Sequence, residues 1–543
     1  MSAARDPAEV LARGLQAGTP VDGFGPVWNS ARLRLARATW QVSTIEPFLN
    51  YDVPYTGTSS GRLSEDAVAV ALAAQKAAGR SGGLRVLEIG SGSGVFARLF
   101  LQRLGDLAPD VLARTRYLVT DGSERMLDAQ RQSGVLDPFR DQIEWRRLDA
   151  AGDWRGLGPF DVVLGTYILD SLPFDFLAVN DARVWRKEVR SLHPGPADEA
   201  EELKAALASD DPAALLPFVQ AGRRLVVQTR HVPIDRGDLA EAAAVPEDTG
   251  GTTLPFLHSH GALGALRRAV EALDDGGVIV VSDYGHAEML EAHESVEFQM
   301  FGGSVAVGLN FPQISSAVGS WDGVTLLVPA QEEGALLTRV VVKGAASDDL
   351  RELVDDLHGG LRYRAMTAPV DAARKYIPAR MFESSRALYA RALELRPRDW
   401  SLMEEIATLQ LYSSGEYQAS ADMAAAGLEL NPLAPGLWRV RAEALLALGR
   451  KAEAREAIDR GVALAPSNHS SQRVLGEVAL AEGHFAQALE AVARALASDR
   501  DQDDRESLLA LQERILAAMA EDQRQVLLAQ ANQFRPLDRL PEG

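Results

Sequence analysis

The chain has 543 residues, 46% of them hydrophobic and 24% charged, and 76 acidic against 56 basic side chains give a net charge of −20. This length predicts two to four globular domains. Because cysteine is absent, the sequence excludes disulfides, thiolate zinc sites, cysteine nucleophiles and cysteine-ligated clusters. The acidic balance argues against nucleic-acid binding, and no apolar run of about 18 residues suggests a membrane span. With no secretory signal at its start, we expect a cytoplasmic protein.

The first part of the chain is expected to form an N-terminal arm followed by an α/β domain. Residues 1–60 combine a helical pattern with the turn-rich stretch 47–57, and we expect them to form an arm or lid. Over residues 61–345, short apolar runs such as 84–89 alternate with helical segments. This alternation is typical of a doubly wound, mostly parallel, Rossmann-like sheet, for which we predict seven strands.

Three further features are expected within this region or directly after it. Two closely spaced runs, 324–328 and 336–342, are expected to close one sheet edge as an antiparallel pair. Residues 174–262 are expected to form an insertion that shapes an acceptor pocket. Residues 346–380 are expected to be a linker to a separate all-α domain.

Residues 381–535 carry a repeat of 34 residues. Gly415, Gly449 and Gly483 are each 34 residues apart, and so are Pro432 and Pro466. This period is typical of tetratricopeptide repeats, in which each helix pair hides the apolar face of its neighbour. We therefore predict a tetratricopeptide-repeat domain whose surface binds a protein or peptide partner.

A glycine-rich loop follows the first buried strand and carries the strongest chemical signal. Its spacing is G-x-G-x-G, and Glu88 stands two residues before Gly90. Glycines allow a sharp turn and the close approach of a ligand to the backbone. A carboxylate here would repel a pyrophosphate, and it favours a ligand with an amino group and a sulfonium, such as S-adenosylmethionine (SAM). The residues of the loop that we expect to bind SAM are Gly90, Ser91, Gly92 and Gly94.

The next two strands are followed by carboxylates that could bind the ribose and the adenine of SAM. Asp121 follows the second strand and is expected to accept hydrogen bonds from the ribose hydroxyls, with Gly122, Ser123 and Met126 nearby. A helix N-cap is the alternative role of Asp121 or Ser123, and the two roles are compatible. After the third strand, Asp149 and Ala150 are expected to meet the adenine, although aspartate before a turn is common.

The stretch 84–170 resembles class I SAM-dependent methyltransferases, and three segments within 50–345 are similar to the MidA-like family. These segments are L-D-S-L-P at 169–173, S-D-Y-G-H at 282–286 and V-A-V-G-L-N-F at 305–311. Members of that family include a mitochondrial enzyme that methylates arginine on a respiratory complex subunit, so the resemblance implies a reaction on protein.

Two positions depart from the family. The family's Asn-Glu pair is replaced by Thr166-Tyr167, and its G-D-F-x-T segment by S-G-R-L-S at 60–64. We expect Thr166 to contact the cofactor. Asp170 and Tyr167 are the candidate catalytic residues, because methyl transfer needs a positioned nucleophile and, where required, a proton acceptor.

The leading hypothesis is a SAM-dependent methyltransferase acting on a protein, with arginine as the candidate acceptor, presented by the repeats. A methyltransferase for small molecules and a non-catalytic SAM-binding scaffold remain as alternatives. No metal site is predicted, since His258 and His260 lack an identifiable third ligand. The oligomeric state stays open.

Overall fold

The computed structural model describes residues 18–42, 44–49, 60–209, 211–288, 299–301, 304–499 and 504–533. The chain divides into two compact units, Met1–Ala368 and Pro369–Gly543. Much of the expected arm, at 1–17, 43 and 50–59, lies outside the described residues, including most of the turn-rich stretch. Among the helices that the structure describes, none is long and apolar enough to cross a membrane.

The first unit combines two β-sheets with flanking helices. Its strands are β1 Thr19–Pro20, β2 Gly25–Pro26, β3 Arg85–Ile89, β4 Arg116–Asp121, β5 Ile143–Arg147, β6 Phe160–Thr166, β7 Asp175–Asn180, β8 Arg183–His193, β9 Val226–Ile234, β10 Leu254–His258, β11 Leu273–His286, β12 Gln299–Phe301, β13 Ser304–Ala306, β14 Leu309–Asn310, β15 Val324–Leu327 and β16 Leu336–Lys343. Its helices are α1 Ala31–Val42, α2 Glu46–Leu49, α3 Arg62–Ala77, α4 Val95–Leu107, α5 Pro109–Leu112, α6 Glu124–Ser133, α7 Ala197–Leu207, α8 Val219–Gly222, α9 His260–Ala272, α10 Phe311–Gly319 and α11 Asp348–His358.

The larger sheet has the predicted α/β architecture. Its strand order is β15-β16-β11-β6-β3-β4-β5, with the short β14 beside β11. The strands from β11 to β5 are parallel, whereas β16 pairs antiparallel with both β11 and β15. Val86 and Leu87 point to opposite faces of β3 and are both fully buried, because helices cover both faces of a doubly wound sheet. The predicted fold class and the antiparallel edge are therefore confirmed.

The region predicted as an insertion contributes most of a second, antiparallel sheet. Its order is β1-β8-β7-β10, and β2 and β9 also pair with β8. The strand β9 of this region lies at Val226–Ile234 and pairs with β8 over nine residues. The described part of the expected arm supplies β1 and β2, so these residues are tied into the sheet by backbone hydrogen bonds.

Two segments differ from the local pattern that the sequence suggested. The apolar run 305–311 is not one strand, because Asn310 ends β14 and caps α10 by accepting a hydrogen bond from Gln313 N at 3.1 Å. Residues 346–380, predicted as a linker, hold two helices, α11 and α12 Gly360–Tyr376. The first of these forms because Ser347 caps it and Leu350 and Val354 bury one of its faces.

The second unit is a series of helix pairs. Its helices are α13 Phe382–Leu395, α14 Trp400–Leu409, α15 Tyr417–Leu430, α16 Pro435–Ala447, α17 Lys451–Leu464, α18 His469–Glu482, α19 Phe485–Ser498 and α20 Arg505–Gln533. Gly415, Gly449 and Gly483 end equivalent helices with φ of 64°, 75° and 79°. This left-handed conformation favours glycine, so the 34-residue period reflects one turn that recurs. The predicted repeat architecture is confirmed.

Candidate functional site

The glycine loop lies at the carboxyl end of β3 and leads into α4. Gly90 and Gly92 have φ of 67° and 54°, which side chains with a Cβ rarely adopt. A Cβ on Gly90 would lie 2.7 Å from the Ile168 side chain, and one on Gly92 would lie 2.9 Å from the Phe48 ring. The loop therefore needs glycine both for its backbone conformation and for the close approach of its neighbours.

Gln130 of α6 holds this loop in place. Its Nε2 donates to Ser91 Oγ at 2.7 Å and to the Gly92 carbonyl at 2.5 Å, and the side chain is fully buried. Ser91 N also donates to the carbonyl of Thr120 at 2.9 Å. Sequence reasoning missed Gln130; the available signal was a polar residue on the buried face that Met126 and Leu127 share.

Glu88 lies beneath the loop in the sheet. It is buried, and its Oε2 accepts a hydrogen bond from the Tyr117 hydroxyl at 3.1 Å. Burial raises the pKa of Glu88 to about 8, the nearby Asp121 raises it further, and the bond from Tyr117 opposes the shift. The Glu88 side chain is thus mostly protonated at neutral pH when no positively charged group lies next to it.

Asp121 lies at the end of β4, and Ser123, rather than Asp121, is the helix cap that the sequence allowed. Its Oδ1 accepts a hydrogen bond from Ser123 N at 2.9 Å, and its Oδ2 accepts one from Gly92 N at 3.3 Å. Ser123 caps α6 through Met126 N at 3.3 Å. Burial raises the pKa of Asp121 to about 6, although these backbone N–H groups favour its charged form. The carboxylate therefore joins the glycine loop to the turn after β4, where Gly122 is exposed.

The remaining expected cofactor residues follow neighbouring strands of the same sheet. Asp149 is exposed after β5, and its Oδ1 accepts a hydrogen bond from Ala151 N at 2.9 Å, while Ala150 is buried. Thr166 ends β6 beside Ser282 of β11. Because parallel strands present their carboxyl ends at one edge, these residues line the same edge as the glycine loop.

Asp283 of β11 clamps the loop that follows β6. Its Oδ2 accepts hydrogen bonds from the backbone N–H groups of Ile168 at 3.0 Å, Leu169 at 2.6 Å and Asp170 at 3.3 Å. Its Oδ1 accepts another from Tyr284 N at 2.8 Å. Tyr167 precedes this turn with a φ of 56°, a conformation that costs energy for a bulky residue and needs support from its surroundings.

The clamp brings two carboxyl groups and two aromatic rings together. Asp170 is 5% exposed, and its Oδ2 has no hydrogen-bond partner among the residues that the structure describes. Burial and the nearby Asp283 raise the pKa of Asp170 well above its usual range, and burial raises that of Asp283 to about 7. The rings of Tyr167 and Tyr284 meet edge to face, with centroids 5.1 Å apart. This cluster offers a hydrogen-bond acceptor to a nitrogen-bearing ligand.

The described part of the arm covers the glycine loop. The Phe48 ring lies over Gly92 and packs against Trp40, with ring centroids 5.6 Å apart. Ser123 Oγ donates to the carbonyl of Gln41 at 3.2 Å. The arm is therefore placed to shield a ligand in the loop from water.

The two histidines considered as metal ligands have other partners. His258 Nε2 is 2.7 Å from the Ala240 carbonyl, and its Nδ1 is 2.6 Å from Gln313 Nε2. Burial lowers the pKa of His258 to about 4, so its ring is neutral. Both ring nitrogens make contacts within the protein.

Comparison with known proteins indicates the kind of domain that contains these residues. Residues 67–304 match the profile of a family described as "Putative S-adenosyl-L-methionine-dependent methyltransferase", and residues 435–478 match a tetratricopeptide-repeat profile. The first unit is thus a SAM-dependent methyltransferase domain, and SAM is its cofactor. The donor set fits the cofactor, because the Asp121 carboxylate lies beside the glycine loop and can accept hydrogen bonds from ribose hydroxyls.

Solved structures show similar but distant chains. Two proteins from Burkholderia thailandensis, one an uncharacterized superfamily member and one a likely methyl transferase bound to S-adenosyl-homocysteine, are 16% and 14% identical. Each match covers 63% of this chain and 94% or 95% of the other, with a TM-score of 0.39. A thermophilic repeat protein from Thermus thermophilus is 19% identical over 32% of this chain and 93% of its own, with a TM-score of 0.27. No curated protein matches the chain.

Proposed function

We propose that this methyltransferase modifies a protein nitrogen, with an arginine side chain as the acceptor, and that the helical repeats present the protein. The single observation that carries the proposal is the buried Asp170 carboxyl, whose Oδ2 has no partner. A buried polar atom without a partner costs free energy. A cationic nitrogen that donates a hydrogen bond to this oxygen removes that cost.

The surroundings of Asp170 suit a guanidinium. Cations are attracted to aromatic faces, and Tyr167 and Tyr284 are next to the carboxyl pair. In the reaction, the acceptor nitrogen forms a bond to the methyl carbon as the carbon–sulfur bond of SAM breaks. A cationic acceptor beside Asp170 would favour the ionised form of its carboxyl, and the carboxylate would then take the proton that the nitrogen loses.

The cofactor residues have separate tasks in this scheme. The glycine loop, fixed by Gln130 and Asp121, would hold the methionine and ribose parts of SAM. Phe48 would exclude water above the loop, and Asp283 would keep Asp170 and Tyr167 in position. When bound, SAM supplies an activated methyl group, so the protein mainly aligns the two reactants.

The repeats support a protein substrate, since stacked helix pairs commonly bind peptides. The test incubates the full chain with host lysate and SAM labelled on its methyl group. We expect label on a protein, recovered as methylarginine after hydrolysis. A photo-cross-linking residue at Tyr412, which is 56% exposed on the repeats, should capture that labelled protein, whereas one at Leu107, which is 50% exposed at the end of α4, should not.

Asp170→Asn separates binding from catalysis. We expect this variant to bind SAM within about twofold of the wild type and to lose labelling by at least about a hundredfold. The matched control is Asp153→Asn, which changes an exposed carboxylate and should label normally. Label confined to small molecules would favour the small-molecule alternative, and SAM binding without any labelling would favour the scaffold. Equal labelling by Asp170→Asn would contradict the assigned role.

A further inference from the structure

The last helix of the second unit is much longer than the helices before it. α20 has 29 residues, whereas α18 and α19 have 14 each. At about 1.5 Å per residue, it spans ~43 Å against ~21 Å. Leu511 and Ile515 pack into the core with α18 and α19, and Leu508 is also fully buried. From residue 520 to 530, every position is exposed, so the helix continues beyond the part that this core holds.

A second apolar face runs along the exposed side of α20. Leu509, Leu516 and Leu527 are 43%, 50% and 65% exposed, and Ala520 is also exposed. These four residues, the apolar stripe, are spaced by 7, 4 and 7 positions. With about 100° of rotation per residue, they lie within about 20° of one line along the helix.

The stripe is symmetric about residue 518. Leu509 and Leu527 are nine positions on either side of it, and Leu516 and Ala520 are two positions on either side. A second α20 lying antiparallel, with its two-fold axis at residue 518, would place Leu509 against the partner's Leu527. The same axis would place Leu516 against the partner's Ala520, as an isologous contact requires.

The charges beside the stripe are symmetric about the same point to within one residue. Glu513 and Arg524 lie about 40° and 60° to one side of the stripe, five positions before and six after residue 518. Both are exposed. In an antiparallel pair, this side of each helix faces the same side of the other, so Glu513 meets the partner's Arg524 twice. In a parallel pair, this side of each helix would lie on the opposite side of the contact from the same side of the partner, so Glu513 and Arg524 would not meet.

We propose that the apolar stripe binds a second copy of this chain as an antiparallel helix pair. The spacing of the apolar residues supplies the contact surface, and the Glu513–Arg524 complementarity sets the direction. One helix pair gives a small interface, so a reversible dimer in the micromolar range is expected. The pairing does not depend on the proposed acceptor or on the reaction.

Sedimentation equilibrium of the full chain over a micromolar concentration series tests the stripe. We expect the wild type to form dimers, and the double variant Leu516→Glu, Leu527→Glu to weaken dimerisation by at least about a hundredfold, because four charges would enter the contact. Leu528→Glu is the matched control. Leu528 is 46% exposed but lies about 100° from the stripe, so this variant should dimerise normally.

Charge reversal tests the direction. Glu513→Arg and Arg524→Glu should each weaken the dimer by about tenfold, and the two changes together should restore it. Because all these side chains are exposed, thermal unfolding should stay close to that of the wild type. A monomeric wild type, a dimer unaffected by the stripe variant, or the absence of rescue would each overturn the proposal. A monomer that sediments with lipid vesicles would assign the stripe to a membrane surface instead.

Discussion

The protonation of Glu88 makes a quantitative prediction about cofactor binding. The pKa of Glu88 is about 8, against an ordinary value of 4.5. The free protein therefore stabilises the protonated form over the ionised form by about 5 kcal/mol more than water does. At pH 7.5, about three quarters of the molecules then carry the proton. The positive charges of SAM favour the ionised carboxylate at short distance, so we expect binding to release about 0.8 proton at this pH.

The sign of the pH dependence follows from this release. A group that loses its proton on binding makes binding tighter as the pH rises, and the gain ends above its pKa in the free protein. SAM affinity should therefore increase between pH 6.5 and 8 and level off above about pH 8. Asp121, with a pKa of about 6, is mostly ionised over most of this range and contributes little.

Isothermal titration in buffers with different ionisation enthalpies measures the released protons directly. Glu88→Gln keeps the shape and remains neutral, so it should remove the buffer-dependent heat while the protein stays folded. Glu144→Gln changes an exposed carboxylate and should leave the released protons unchanged. Equal proton release by the wild type and Glu88→Gln would refute the reasoning, because the protons would then come from another group.

Three further predictions concern buried polar groups. Gln130→Leu removes both bonds to the glycine loop and should weaken SAM binding at least about tenfold by calorimetry. Ionisation of Asp66, whose pKa burial raises to about 6, should lower the free energy of unfolding by about 2 kcal/mol between pH 4 and 7 in denaturant titrations. Glu443→Ala leaves Arg439 and Arg473 without this carboxylate and should cost about 3 kcal/mol in repeat unfolding.

Each of these predictions has a control and a contradicting result. Arg131→Ala, next to Gln130 but exposed at the helix surface, should bind SAM normally; equal loss in both variants would point to α6 as a whole. Asp66→Asn should flatten the pH dependence of unfolding, and an unchanged slope would show that other groups cause it. Glu490→Ala removes an exposed ion pair and should cost under about 1 kcal/mol; a similar cost for Glu443→Ala would contradict the argument.

The sequence by itself determined the features that depend on neighbouring residues. The glycine loop, the Ser123 cap and the 34-residue turn each require particular residue types at short spacing, because backbone conformation is decided locally. The strands were visible for the same reason, since apolar runs between helices indicate a covered sheet. The 305–311 run misled because a local cap at Asn310 outweighed its apolar composition.

Only the tertiary structure decided what state the functional groups are in. Asp283 reaches the loop at 168–170 across more than a hundred residues, and Gln130 meets Ser91 from another element. Burial, which is a property of the assembled core, decides whether Glu88 is charged. Residue spacing contains no information on long-range contacts or desolvation. It therefore indicates a candidate site but not which of its carboxyls are protonated or which residues hold them in place.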